Sequence, residues 1–183
     1  MLRCASRALS QSTRYPAYRI RKAKEEDVPI ILKHITDLAV YEKEPPSVVK
    51  IREEELLRDG FGDDKYYHGL IPEHVTSNKT TTIGYGLYFF AYSTWEGRVL
   101  YIEDMFIEPE HRSNGLATLM MIECAKVAAA KNCNRMQWQV LDWNKEAAKL
   151  YDRWGGNPLP EWVTYRMDRD TILKHASTDD TDM

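Results

Sequence analysis

Y-I-E-D-M-F-I-E-P-E-H-R-S-N-G-L-A-T, from Tyr101 to Thr118, is the stretch whose reading decides the fold. It predicts a strand ending at Ile107, a short acidic turn through Pro109, and a helix opened by Arg112-Ser-Asn-Gly115-Leu-Ala117-Thr118. A glycine and a small residue at a helix mouth let backbone N–H groups approach an anion closely. Arg112 adds a fixed positive charge beside them. Such a turn suits the pyrophosphate of a nucleotide cofactor. Glu103 and Asp104 lie on the strand leading into it, so phosphate binding and acid–base chemistry are expected within one short unit.

Outward from this stretch the pattern is that of an α/β protein. Tyr18 to Ala23 alternates polar and apolar residues, the period of a strand. Lys24-Glu-Glu-Asp27 starts a helix, its acids favourable at the positive end of the dipole. Ile30, Ile31, His34, Ile35 and Leu38 continue it to Tyr41 at helical spacing, and Pro45-Pro46 breaks it. A second amphipathic helix spans roughly Ile51 to Arg58 and closes at Asp59-Gly-Phe-Gly62. Strands follow at Tyr67 to Ile71, Thr81 to Tyr92 and Val99 to Ile107, with Thr94-Trp-Glu-Gly97 as the last turn. The Arg112 turn then opens a helix ending near Asn132. A strand is expected at Met136 to Leu141, a helix at Asn144 to Trp154 capped by Gly155-Gly156, and a last strand at Trp162 to Met167.

Composition bounds what such a chain does. With 183 residues, 43% hydrophobic and 29% charged, it is expected to form one soluble domain around a single core. A net charge of −3 gives no basis for a nucleic-acid surface. No apolar run approaches 18 residues, so no membrane span is expected. Three cysteines, Cys4, Cys124 and Cys133, are odd in number and follow no metal-ligand spacing, which fits a reducing compartment and no metal. Asn78-Lys-Thr80 matches a glycosylation sequon without a secretory signal and is read as chance. Residues 1–16 form a basic extension; up to Glu25 the chain carries seven Arg and Lys and no acid. The expected compartment is the cytoplasm, with the mitochondrion as the alternative through that extension. The domain proper is expected at 17–174, and 175–183 is read as an acidic disordered tail.

Several segments together resemble the GNAT acetyltransferase superfamily, and within it the diamine acetyltransferases. They are Ala39-Val-Tyr-Glu42, Asp59-Gly-Phe-Gly62, Tyr101-Ile-Glu-Asp104, Leu141-Asp-Trp-Asn144 and Leu150-Tyr-Asp-Arg-Trp-Gly155, in order and at consistent spacing from about Tyr18 to Lys174. The resemblance implies a GNAT fold, a mixed central sheet flanked by helices. It also implies an R-x-x-G-x-G/A turn for the pyrophosphate of acetyl-CoA, filled by Arg112, Gly115 and Ala117 with Ser113, Asn114, Leu116 and Thr118 around them. Ser113 and Asn114 replace glycines of close relatives, and a non-glycine residue resists positive φ. Further acetyl-CoA contacts implied are Asn144, Ala147 and a backbone amide of the Met105-Phe106-Ile107 strand.

For the chemistry, the resemblance makes Glu103 the proton acceptor for the amine, directly or through a water, and Tyr151 the proton donor to the leaving thiolate. Tyr41, Glu42, Trp95, Asp104, Glu161 and Trp162, with Glu103, form an acidic and aromatic set for a cationic amine. Polyamine-acetylating members carry an aspartate two residues before the pocket tryptophan, where this chain has Ser93. The expectation is therefore direct acetyl transfer to the terminal amine of thialysine or a similar lysine-like small amine, in a homodimer. Spermidine/spermine N1-acetylation is the alternative, and a non-catalytic acyl-CoA- or partner-binding protein of the same fold is the alternative of another class.

Overall fold

The computed structural model describes residues 17–177, so the expected N-terminal extension and all but the start of the expected tail lie outside the described residues. Two compact units divide the chain, one up to Gln139 and one from Val140. The first holds a six-stranded sheet: β1 (Tyr18–Lys22), β2 (His68–Val75), β3 (Thr80–Thr82), β4 (Gly84–Ser93), β5 (Gly97–Ile107) and β6 (Arg135–Gln137). Its order is β1-β2-β4-β5-β6, with β3 paired to β2. All neighbours are antiparallel except β5 and β6, which are parallel. That pair needs a crossover, and helix α3 (Leu116–Ala130) supplies it.

Helices α1 (Val28–Tyr41) and α2 (Glu53–Phe61) bury Val28, Ile31 and Leu56 against Ile71, Tyr85, Leu87 and Phe106 of the sheet. Side chains alternate along β4, so Gly86 and Tyr88 face the other way. There Gly86 leaves room for Met120 of α3, whose Cε would lie 2.6 Å from a Cβ at that position. A side chain at Gly84 would collide with the Phe106 carbonyl oxygen, which explains a glycine at the start of β4.

β2 runs through Pro72 to Val75, beyond the expected end of the strand at Ile71. Proline is tolerated because β2 pairs with β4 only from His68 to Leu70. The Pro72 carbonyl accepts from Ile83 N–H at 3.0 Å on that side, so the missing donor breaks no β2–β4 ladder bond. The Thr81–Tyr92 run is divided at Ile83 into β3 and β4, and β6 is only three residues long rather than reaching Leu141.

The second unit contains α4 (Lys145–Arg153) and α5 (Arg169–Ala176). The strand expected at Trp162–Met167 is absent, since alternation alone makes no strand without a neighbouring strand to form a ladder. Helix α5, which the sequence reading lacks, starts at Asp168, whose carboxylate accepts from Thr171 N–H at 2.8 Å. It extends to Ala176, into the segment read as disordered tail.

One buried ion network joins β1, β2 and the start of α1. Arg21 grips Asp27 with two bonds of 2.6 and 2.7 Å and donates to Glu73 at 2.8 Å; Arg19 donates to the other Glu73 oxygen. Burial alone would raise both carboxyls. Arg21 and the Lys24 N–H hold Asp27 below its ordinary value, and Arg19 and Arg21 do the same for Glu73. Their stabilisation is therefore complete at neutral pH and is lost as acid protonates the folded state. Arg21→Met should destabilise the fold at pH 7 by about 3 kcal/mol, because it strands a buried carboxylate. In urea unfolding followed from about pH 5 down to about pH 2, the variant should also lose part of the decline seen in the parent chain.

Candidate active site

Strand β5 carries the acids, and its pairing with β4 determines where they point. Leu87 pairs with Asp104, but the next residue of β4, Tyr88, pairs with Ile102. Glu103 is thus the extra residue of a β-bulge, the kind of irregularity that re-aims a side chain. In a regular strand Glu103 and Asp104 would face opposite sides. Here Asp104 shares the face of Leu87, as cross-strand partners do. Glu103 acts electrostatically on both Tyr85 and Tyr101, whose face is the same.

The phenol of Tyr85 is the hub. It is fully buried and donates to Asp104 Oδ2 at 3.0 Å. Burial and the carboxylates of Asp104, Glu42 and Glu103 raise its pKa well above the ordinary phenol value. Burial also raises the carboxyl of Asp104, against the Tyr85 hydrogen bond. Glu42, just past the end of α1, is raised by burial and by the neighbouring Asp104 and Glu44. Three of the expected substrate acids, Glu42, Glu103 and Asp104, are therefore brought together around one tyrosine. Tyr85 is not among the expected site residues, although an aromatic set between Gly84 and Gly86 in a strand signals close packing.

Tyr41 joins this group through an unexpected partner. The Arg112 guanidinium lies 4.5 Å from the centre of the Tyr41 ring and 5.5 Å from that of Phe106, and its Nε donates to the Ile107 carbonyl at 2.8 Å. The Arg112 side chain is folded onto α1 and β5, a cation–π contact that locks the turn to the end of α1.

The turn itself fits an anion through its backbone. Ser113 (φ 62) and Gly115 (φ 78) are both left-handed, a geometry in which successive N–H groups form a concave nest. Helix α3 follows directly, and the N–H groups of Leu116, Ala117 and Thr118 have no carbonyl partner within it. No acid lies in its first turn. Asn114 braces the loop by donating to the His111 and Arg112 carbonyls at 3.3 and 3.2 Å. On the strand side, Phe106 is buried with the core while Met105 and Ile107 are half-buried. β6 pairs only with Val99–Tyr101, so in the first unit β5 continues through residues 102–107 with no strand on that side.

Trp95 is not brought to the acids. It is 82% exposed at the tip of the β4–β5 hairpin, roughly 20 Å along the strand from Asp104. Ser93 is buried there and accepts from the Trp95 and Glu96 N–H groups at 3.2 Å, so its hydroxyl serves the hairpin turn. The second unit holds the other expected residues. Asn144 caps α4, accepting from the Ala147 N–H at 3.3 Å. Tyr151 lies in α4, with its phenol raised by burial. Glu161 and Trp162 are exposed in the segment between α4 and α5. Among the described residues no group of three or more His, Cys, Asp or Glu is placed to hold a metal, and no helix is long and apolar enough to cross a membrane.

A mixed sheet whose central hairpin runs into a left-handed turn and a crossover helix suits a transferase that takes an anionic acyl carrier at that turn. The profile of the acetyltransferase (GNAT) family matches residues 35–156, across both units, and the chain belongs to that family. It is 41% identical over 164 residues to the thialysine N-epsilon-acetyltransferase of Bos taurus, covering 86% of this chain and 96% of that protein. It is 32% identical over 165 residues to the human spermidine/spermine N(1)-acetyltransferase-like protein 1, covering 87% of this chain and 24% of that one. Among solved structures, an integron cassette protein from the mobile metagenome of V. cholerae superposes with a TM-score of 0.68 at 19% identity, covering 88% of this chain and 99% of that chain.

Ser113 sustains a positive φ that costs a non-glycine residue about 1–2 kcal/mol, while glycine adds about 0.5–1 kcal/mol of chain entropy. Ser113→Gly should therefore stabilise the protein by about 0.5–1 kcal/mol, read as a rise of a few degrees in thermal midpoint.

Proposed function

We propose that the chain is an N-acetyltransferase moving acetyl from acetyl-CoA to the terminal amine of thialysine or a similar lysine-like small amine. The observation that carries this reading is the convergence of Glu42, Glu103 and Asp104 on Tyr85, beside a family turn suited to pyrophosphate. A relative 41% identical and named for thialysine supports the choice of amine.

Bound acetyl-CoA supplies the acetyl group as an activated thioester. The backbone of residues 113–118 holds its pyrophosphate, and an amide of the Met105–Ile107 strand polarises the thioester carbonyl. Asn144 and Ala147 are the further contacts. Glu42 and Asp104 attract the acceptor's ammonium, with Tyr41 beside them. At pH 7 an alkylammonium with a pKa near 10.4 must lose a proton before it is a nucleophile, at a cost of roughly 4–5 kcal/mol. Glu103 takes that proton, and its exposure at the bulge leaves room for an intervening water. The amine nitrogen then bonds to the acetyl carbon as the carbon–sulfur bond breaks. Tyr151, held in its neutral form by burial, gives its proton to the departing sulfur.

Transfer is direct. Cys124 is buried and its thiol is pushed up to about 12 by burial and by Glu123, so it presents no thiolate for an acyl-enzyme. The enzyme works as a homodimer, in which a second copy's hairpin supplies the aromatic face that Trp95 cannot give to its own acids; Glu161 and Trp162 complete the acceptor site. The compartment is the cytoplasm.

Initial rates with acetyl-CoA test this reading. Thialysine should exceed spermidine at least tenfold in kcat/KM, about 1.4 kcal/mol in transition-state binding. Tyr151→Phe and Glu103→Gln should each lower kcat by about 100-fold or more with acetyl-CoA binding retained. A tenfold preference for spermidine would make the chain a polyamine enzyme instead. Acetyl-CoA binding without turnover on either amine would indicate a non-catalytic acyl-CoA-binding protein.

A further inference from the structure

Helix α1 meets the approach to the cofactor turn at one buried polar contact. His34 is fully buried, and its Nε2 lies 3.1 Å from Glu108 Oε1. The imidazole is held in an otherwise apolar layer, with its ring centre 5.5 Å from that of Phe106 and stacked at 6.5 Å from Tyr85. A polar ring is unfavourable there unless paired, and an aliphatic side chain would fill the same space. Packing therefore does not account for it. Nδ1 is buried without a hydrogen-bond partner, so the contact with Glu108 is what orients the ring.

Glu108 is the pivot between β5 and the turn. Its N–H donates to the Ile83 carbonyl at 2.9 Å, and its own carbonyl accepts from His111 N–H at 2.9 Å. The helical turn Pro109–His111 that this second bond closes leads directly to Arg112. Beyond it lie two left-handed residues, Ser113 and Gly115. A strained turn of this kind persists only where its surroundings over-determine it. Helix α3 fixes its far end, and Glu108 fixes its near end.

We infer that His34 is a positioning residue for the cofactor turn, acting through Glu108 to set the pose of the backbone amides from Ser113 onward. This rests on the reading of that turn as the acetyl-CoA site. The side chain touches neither cofactor nor acceptor; it determines whether the nest is formed before acetyl-CoA arrives.

The test is calorimetric titration of acetyl-CoA into the full chain, with acceptor KM at saturating acetyl-CoA and thermal midpoint measured alongside. His34→Gln keeps a donor near the position of Nε2 and should bind acetyl-CoA within threefold of the parent. His34→Leu and Glu108→Met should each weaken acetyl-CoA at least tenfold while acceptor KM moves less than twofold, and the double variant should lose no more than either alone. The inference is overturned if His34→Leu binds acetyl-CoA within threefold of the parent, or if cofactor affinity and acceptor KM decline together. Should His34→Leu not fold, Glu108→Met decides on the same readout, since the Glu108 side chain is 29% exposed. Absence of acetyl-CoA binding in the parent chain would instead overturn the reading of the turn itself.

Discussion

The pairing of β4 with β5 is the constraint on which the rest depends. It runs from Gly84 opposite Ile107 to Ser93 opposite Gly97, the longest ladder in the sheet, and it contains one bulge at Glu103. Below the bulge, Tyr85 and Phe106 share a face and pack beneath α1 and α2. At the bulge, Glu103 is inserted without a β4 partner beside Asp104. Past Ile107 the strand ends at Glu108 and the chain enters the Arg112–Thr118 turn. One ladder thus orders the core, the acids and the proposed cofactor turn in a few residues.

Gathering carboxylates in this way has a cost that bears on function. Burial raises both Glu42 and Asp104; the neighbouring Asp104 and Glu44 raise Glu42 further, and the hydrogen bond from Tyr85 offsets part of the rise for Asp104. A bound ammonium reverses the sign of the interaction. At about 4 Å each carboxylate then contributes about 1 kcal/mol if the site stays wet and about 4 kcal/mol if it is partly dry. The arrangement is unfavourable when empty and favourable with a cation, which suits an amine acceptor and gives a neutral one little purchase. Helix α1 touches both sides of this chemistry. Its end presents Tyr41 to Arg112 and leads into Glu42, while His34, two turns earlier, meets Glu108.

Much of the fold was legible in the sequence because its signals are local. The helical spacing from Ile30 to Leu38, the β-branched and aromatic runs at 81–92 and 99–107, and the Arg112–Thr118 turn all gave elements close to those observed. What was not legible depends on partners. The strand expected at Trp162–Met167 has the right alternation but forms no ladder, and Pro72 sits inside β2 because β4 has already parted from it. The bulge at Glu103 is a property of two strands together, so no reading of one strand reveals it. Arg112 shows the same limit: its charge was visible, but its packing on Tyr41 was not. Trp95 was grouped with the acids by resemblance, whereas within one chain it belongs, with Ser93, to the far hairpin turn. Asn144, in contrast, does what its residue type favours and caps α4.

The central claim is that the carboxylates around Tyr85 hold the acceptor as a cation. The most direct measurement is calorimetric titration of the proposed lysine-like acceptor into the protein saturated with CoA at pH 7, for the parent chain and for Asp104→Asn. The account predicts a loss of at least tenfold in acceptor affinity, about 1.4 kcal/mol, with CoA binding unchanged. Equal acceptor affinity in the two proteins would contradict it and place the ammonium elsewhere.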